Sequence, residues 1–123
     1  MTRFSYRKFF RSFKYAIRGL YHLVRTEQNA RVHVLLTLFA GICAIAFKIT
    51  HTEVAILFFA VVLVFGTEIT NTAIEKLLDL VHPENHAQIA FIKDALAGAV
   101  LIAAIIAAAV FFFTFYPYVK ALF

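Results

Sequence analysis

The chain has no tryptophan, one cysteine, two prolines and four glycines among its 123 residues. A single cysteine, Cys43, excludes a disulfide framework and a thiolate metal cluster. Four glycines leave no room for a phosphate-cradling glycine-rich loop, and no Walker motif or kinase-type glycine loop is present. Charge is also scarce. Only 15% of residues are charged and 63% are hydrophobic, against about 25% charged in soluble globular domains. A small soluble domain has a large surface for its volume and needs more polar cover than this. The same composition excludes disorder. What is plentiful is long apolar runs, and these point to a bilayer.

The charge that exists is unevenly placed. Twelve Lys and Arg stand against seven Asp and Glu, a net +5. Eight cations precede Val32: Arg3, Arg7, Lys8, Arg11, Lys14, Arg18, Arg25 and Arg31. A basic balance of this kind can mean nucleic acid. Here it sits directly before an apolar run, where positive-inside retention or anionic lipid is the better account. The phenylalanines fall in apolar stripes rather than forming a stacking platform, so nucleic acid is not expected as a partner. A secretory signal peptide fits poorly, because the basic segment is long and apolar runs continue to the C-terminus.

The expected architecture is all-α and integral to the membrane: an N-terminal amphipathic surface helix over about 5–28, then transmembrane helices over 30–48, 52–81 and 94–117, all in one domain spanning 1–123. In the surface segment Phe9, Phe13, Ile17, Leu20 and Val24 recur at three- and four-residue spacing, with cations on a neighbouring sector. Lys48–Glu53 reads as a short polar connection. His82-Pro83-Glu84-Asn85-His86 reads as a clear break, with His82–Asp94 as the loop before the third span. Three spans put the termini on opposite sides. The cation-rich N-terminus is expected in the cytoplasm and the C-terminus outside, with Tyr116 and Tyr118 as interfacial aromatics.

The informative feature is an acidic stripe. Glu68, Asn71, Glu75 and Asp79 stand at i, i+3, i+7 and i+11, which on an α-helix gathers them within a sector of roughly 80°. Glu68 directly follows the apolar run Val54–Gly66 and so belongs near the membrane–water boundary. A carboxylate deep in a membrane helix costs roughly 2.5–3.5 kcal/mol, less near the interface. Three readings stay open on periodicity alone. The stripe is a helix end emerging into water, or it translocates an ion or proton, or it serves metal-assisted chemistry. Oxygen donors suit a hard cation such as Mg²⁺, which arrives with substrate phosphates. Two further clusters lie at the same end of the spans: Glu27 before the first run, and Lys93-Asp94 before the third. Asp94 would serve a helix start and Ala97-Gly98-Ala99 close helix packing, yet all three junctions place carboxylates at one depth.

Glu68-x-x-Asn71-Thr72-Ala73-Ile74-Glu75-x-x-x-Asp79, followed by Lys93-Asp94 and Ala97-Gly98-Ala99-Val100, resembles the prokaryotic diacylglycerol kinase / undecaprenol kinase family. The upstream Phe13-Lys14-Tyr15-Ala16-x-x-Gly19 and Glu27-x-Asn29-x-x-x-His33 are similar to it as well, so the resemblance covers about Phe9 to Val110. It implies a homotrimeric enzyme of the bacterial inner membrane that transfers the γ-phosphate of MgATP to the hydroxyl of a lipid alcohol, diacylglycerol or undecaprenol. It implies Glu68 as the general base, Glu27 and Glu75 as magnesium-binding carboxylates, and Lys8, Tyr15, Glu27, Asn71, Glu75, Asp79, Glu84, His86, Lys93 and Asp94 around the nucleotide. Glu68 and Ala97 fall where the lipid substrate lies. Thr70 stands where the family usually has an aliphatic residue, Ala97 where some members have serine, and His33 where enterobacterial diacylglycerol kinases have an acid; Asn29 with His33 is more similar to the undecaprenol kinase branch. The alternative, from a different class, is a small proton- or cation-coupled transporter using the same acids, which would need them near the bilayer midplane.

Overall fold

The computed structural model describes residues 5–123; Arg3 lies outside them. Four helices follow in order: α1 (Tyr6–Thr26), α2 (Gln28–Phe47), α3 (His51–Val81) and α4 (Ala87–Lys120). There is no strand among the described residues. α2, α3 and α4 are each long and apolar enough to cross a bilayer. At 1.5 Å per residue α3 reaches roughly 46 Å and α4 roughly 51 Å, beyond a hydrocarbon core of about 30 Å. Both therefore carry a turn or more of helix into the headgroups and water.

The joints are short, and each has a local cause. Glu27 alone separates α1 from α2: its backbone is extended (φ −100°, ψ 124°), and its N–H donates to the Leu23 carbonyl at 2.8 Å. Leu23 and Ala30 on either side are buried and hold the corner. α2 ends at Lys48, the one described non-glycine residue with positive φ (52°). α3 then starts on a full capping box, in which Thr50 Oγ1 accepts from the Glu53 N–H and Glu53 Oε2 accepts from the Thr50 N–H at 2.8 Å. Thr50-x-x-Glu53 ahead of an apolar run is the sequence signature of such a start.

α4 begins at Ala87, about two turns ahead of the uniform apolar run. The break after α3 is thus confined to His82–His86. His86 caps α4, its Nδ1 accepting from the Gln88 N–H at 3.2 Å. Lys93 and Asp94 consequently sit in the second turn of α4, and Asp94 is not its cap. The segment 87–94 has no Gly or Pro to oppose helix, so it follows the helix it leads into.

α3 and α4 pack along most of their length, and α2 leans on both more lightly. The α3 face is Leu57, Ala60, Val64, Glu68 and Asn71-Thr72, a three- and four-residue repeat; α4 contributes Val100, Ala103 and Thr114-Phe115. Small residues at the contact let the two backbones approach closely. At the far end Tyr118 Oη donates to Glu53 Oε2 at 2.6 Å, tying the end of α4 to the start of α3. Phe47 of α2 stacks against Phe115 and Tyr118 at ring distances of 5.9 and 6.0 Å. Tyr118 is therefore a tie between helices as well as an aromatic at the helix end. Replacing it by phenylalanine keeps the ring contact and removes only the hydroxyl. Tyr118→Phe is expected to lower the unfolding midpoint in detergent micelles by roughly 2–5 °C with helix content unchanged.

Candidate active site

α3 packs the first half of its polar stripe, Glu68 and Asn71, inside the protomer; Glu75 is half-buried and Asp79 is exposed. Glu68 is 2% exposed and Asn71 is 9% exposed. Neither Glu68 Oε2 nor Asn71 Oδ1 has a hydrogen-bond partner among the described residues. Buried acceptors are nearly always paired, and leaving one unpaired costs about 1–3 kcal/mol, more for a charge. Two such acceptors one turn apart are therefore an exception that needs a reason. Thr72 is buried beside them. Thr70 turns away and returns its hydroxyl to the Gly66 carbonyl at 2.8 Å, so this polar substitution is absorbed by the helix itself.

The corner between α1 and α2 delivers the next acid. Glu27 and Glu75 both come close enough to Glu68 for their charges to repel it. Glu27 from the α1–α2 corner thus comes near Glu68 and Glu75 of α3, whereas Asp94, expected at the same depth, is exposed on α4. Glu27 Oε1 is held at 3.2 Å by Lys76 Nζ and at 3.3 Å by the Thr26 hydroxyl. Lys76 is the residue that sequence reasoning passed over. Its only signal was its place next to Glu75, about 100° round the helix and so toward the α1–α2 corner.

A second group forms where α3 and α4 leave the bundle. Lys93 Nζ donates to Asp79 Oδ1 at 2.5 Å, fourteen residues apart in sequence. Both line a cavity of about 360 Å³ with Glu84, Asn85 and His86. Glu84 Oε1 lies 3.3 Å from His82 Nδ1, and the rings of His82 and His86 are 6.4 Å apart. Asp94 and Ala97 are exposed on α4. Lys8 and Tyr15 are exposed on α1; Tyr15 carries the Arg18 guanidinium over its ring at 5.8 Å, and Lys8 has no ion-pair partner among the described residues.

The donors suit a hard cation. Glu27, Glu75 and Asn71 offer oxygen only, and Asn71 keeps an acceptor unused. No three of His, Cys, Asp and Glu converge into a metal cage among the described residues. That fits an ion held by one or two carboxylates and completed by phosphate oxygens rather than by protein alone.

Fold and site together define a helical membrane protein with a cluster of acids and lysines around an unpaired buried carboxylate. The family model described as prokaryotic diacylglycerol kinase matches residues 14–115, and the chain belongs to that family. It is 34% identical over 110 residues to the undecaprenol kinase of Bacillus subtilis, with 89% of each chain covered. It is 40% identical over 101 residues to the diacylglycerol kinase of Synechocystis sp., covering 78% of this chain and 55% of that protein. The protein is thus a phosphotransferase with an alcohol acceptor, a lipid kinase working in a membrane.

The unpaired state of Glu68 has a measurable cost. A neutral isostere removes the repulsion from Glu27 and Glu75 and the desolvation of a charge. Glu68→Gln is expected to unfold at the same temperature as the parent or at a higher one, by roughly 1–2 kcal/mol of added stability, read by thermal denaturation in micelles.

Proposed function

We propose that the chain moves the γ-phosphate of MgATP onto the hydroxyl of a membrane lipid alcohol, with Glu68 as the general base. The observation that carries this is the buried Glu68 carboxylate with an oxygen left unpaired, directly beyond the apolar run of α3. A lipid hydroxyl anchored in the bilayer presents itself at that depth. Glu68 accepts its proton, the hydroxyl oxygen attacks the γ-phosphorus, the bond to the bridging oxygen breaks, and ADP and a lipid phosphate leave. A primary alcohol is a poor nucleophile without such a base, and a positioned base contributes about 10²–10⁴-fold.

Phosphoryl transfer asks for positioning and charge neutralisation more than covalent chemistry. Glu27, Glu75 and Asn71 are the residues that would hold Mg²⁺, which supplies charge neutralisation on the phosphates when bound. Lys93 is the cation nearest the stripe on α4 and turns from Asp79 to a phosphate oxygen. Asp79 and Asp94 orient it and border the nucleotide. Glu84 and His86 line the cavity at the end of α3, which receives the nucleoside side of ATP. Lys8 and Tyr15 reach the nucleotide from α1. Ala97, one turn above Lys93, leaves space beside the lipid headgroup.

Of the two lipid alcohols, undecaprenol has the better support. The relative named for it aligns over nearly the whole of both chains, and Asn29 with His33 follows that branch. The transporter alternative has less support, since Glu27, Glu75 and Asp79 stand outside the apolar runs rather than within them.

The remaining features belong to the same reading. The site is open on the protomer, and long apolar stretches of α2 and α4 face outward. A homotrimer in the bacterial inner membrane, with α1 on the cytoplasmic surface and the C-terminus outside, covers those faces and closes the site. Co-assembling Glu68→Gln with Asn71→Asp protomers tests sharing of the site: recovered activity at intermediate ratios means that one protomer serves another.

The direct test is ATP-dependent phosphorylation in mixed micelles with Mg²⁺, offering diacylglycerol and undecaprenol separately. Glu68→Gln is expected to lose about 10²–10⁴-fold in turnover with nucleotide affinity kept. Glu75→Gln and Glu27→Gln are expected to raise the Mg²⁺ concentration needed for half-maximal rate. Failure of the folded parent to phosphorylate either lipid overturns the reading for these substrates.

A further inference from the structure

The ion pairs among the described residues are Lys76–Glu27, His82–Glu84 and Lys93–Asp79. Of these, the first alone engages one of the three acids that crowd one another, Glu27, Glu68 and Glu75. Lys76 has no part in the reaction proposed above. Its Nζ lies 3.2 Å from Glu27 Oε1. Thr26 Oγ1 lies 3.3 Å from the same oxygen, but its single proton also faces the His22 carbonyl at 3.0 Å, the nearer acceptor. Lys76 is therefore the steadier donor to this carboxylate. Arg31, four residues on, reaches the Glu27 backbone carbonyl at 3.5 Å and not the side chain.

The place of Lys76 on α3 follows from its spacing. At about 100° per residue it stands about 80° round the helix from Glu68 and about 40° from Thr72, one turn back. Thr72 is buried, so Lys76 leaves the helix at the edge of the packed face. Its flexible four-carbon stem carries the charge from there to the α1–α2 corner. Lys93 is engaged on the other flank, with Asp79. The pair with Glu27 is wet: the Lys76 side chain is 53% exposed and that of Glu27 is 29% exposed. An ion pair this open adds little stability and exchanges readily. It also sits where a hard cation would seek the same carboxylate oxygen.

We propose that Lys76 is a stand-in cation. It neutralises and positions Glu27 while the site is empty, yields that oxygen to the divalent ion, and turns its freed ammonium to the phosphates of the nucleotide. Lys76 is thus a positioning residue for Glu27 first and a phosphate contact second. One side chain then pulls the two ligands in opposite directions, opposing the metal and favouring the polyphosphate. The proposal rests on the assignment of Glu27 and Glu75 to the metal.

The experiment uses the full chain in micelles and reads binding rather than turnover. Mn²⁺, which shares the preference for oxygen donors, is titrated alone and its free form is followed by electron paramagnetic resonance. Trinitrophenyl-ATP is titrated by fluorescence at saturating Mg²⁺. Lys76→Met keeps the apolar stem and the helix propensity. Removing one positive charge beside Glu27 is expected to tighten Mn²⁺ binding by about three- to tenfold. The same variant is expected to weaken trinitrophenyl-ATP by at least about threefold. Lys76→Arg is expected to stay near the parent on both, and Glu27→Gln added to Lys76→Met to cancel the gain in Mn²⁺. A merely structural lysine would lose both affinities together. Mn²⁺ binding unchanged or weaker in Lys76→Met, or no Mn²⁺ binding by either protein, overturns the stand-in. A gain that survives Glu27→Gln overturns the pairing as its cause. Tighter Mn²⁺ with unchanged nucleotide affinity overturns the phosphate contact. Opposed shifts in a protein that phosphorylates neither lipid support the exchange and place the failure in the proposed lipid reaction.

Discussion

A carboxylate with no partner, closed inside the contact between two helices, is the constraint around which this molecule is arranged. Glu68 sits where an apolar helix face ends, and its Oε2 has nothing to bond among the described residues. Such a group cannot lie deeper, where a charge costs roughly 2.5–3.5 kcal/mol. It cannot lie further out either, where water would solvate it and make it an ordinary surface acid. Its depth is fixed by the thirteen-residue apolar run Val54–Gly66 that precedes it. The long contact between α3 and α4 supplies the stability that offsets the cost.

Around that point the chain collects charge from every junction at the same end. Glu27 comes from the break between α1 and α2, Glu75 from two turns further along α3, and Asp79 with Lys93 from the pair of helix ends beyond. Cations accompany the acids, Lys76 at Glu27 and Lys93 at Asp79. Exposed pairs of this kind contribute little to stability. Their worth lies in holding long side chains near a place where phosphate charge arrives. The opposite end is built differently: the Thr50 N–H and hydroxyl and the Tyr118 hydroxyl all donate to Glu53 Oε2.

Much of this was legible in the residue order because two strong periodic signals carry it. Length and hydropathy mark the three long helices, and the i, i+3, i+7, i+11 spacing puts Glu68, Asn71, Glu75 and Asp79 on one stripe. What sequence could not show was which way the stripe faces. Periodicity gives a common direction, and only packing against α4 turns Glu68 and Asn71 inward while Asp79, further along, stays exposed. The start of α4 was misplaced because hydropathy follows apolar content, whereas Ala87–Asp94 is helical by continuity and by the His86 cap. The tie from Tyr118 to Glu53 spans 65 residues and leaves no local trace. The capping box beneath it was readable in Thr50-x-x-Glu53. Glu27 was visible as an acid at a junction, but its double role as the end of one helix and the start of the next depends on a single extended residue.

The two ends of the bundle being so unlike has a consequence for supply. The two buried unpaired acceptors among the described residues lie on the side of the spans that carries the proposed reaction, and the other end is tied by the bonds to Glu53. On the proposed reaction, such a molecule reads one leaflet. Lipid alcohol in the opposite leaflet is out of its reach until the lipid turns over, and the phosphorylated headgroup it makes, once charged, resists the return journey. The asymmetry of the helix ends thus makes the membrane's own flip rate a partner in the enzyme's throughput, with each turnover retaining its product on the side where it was made.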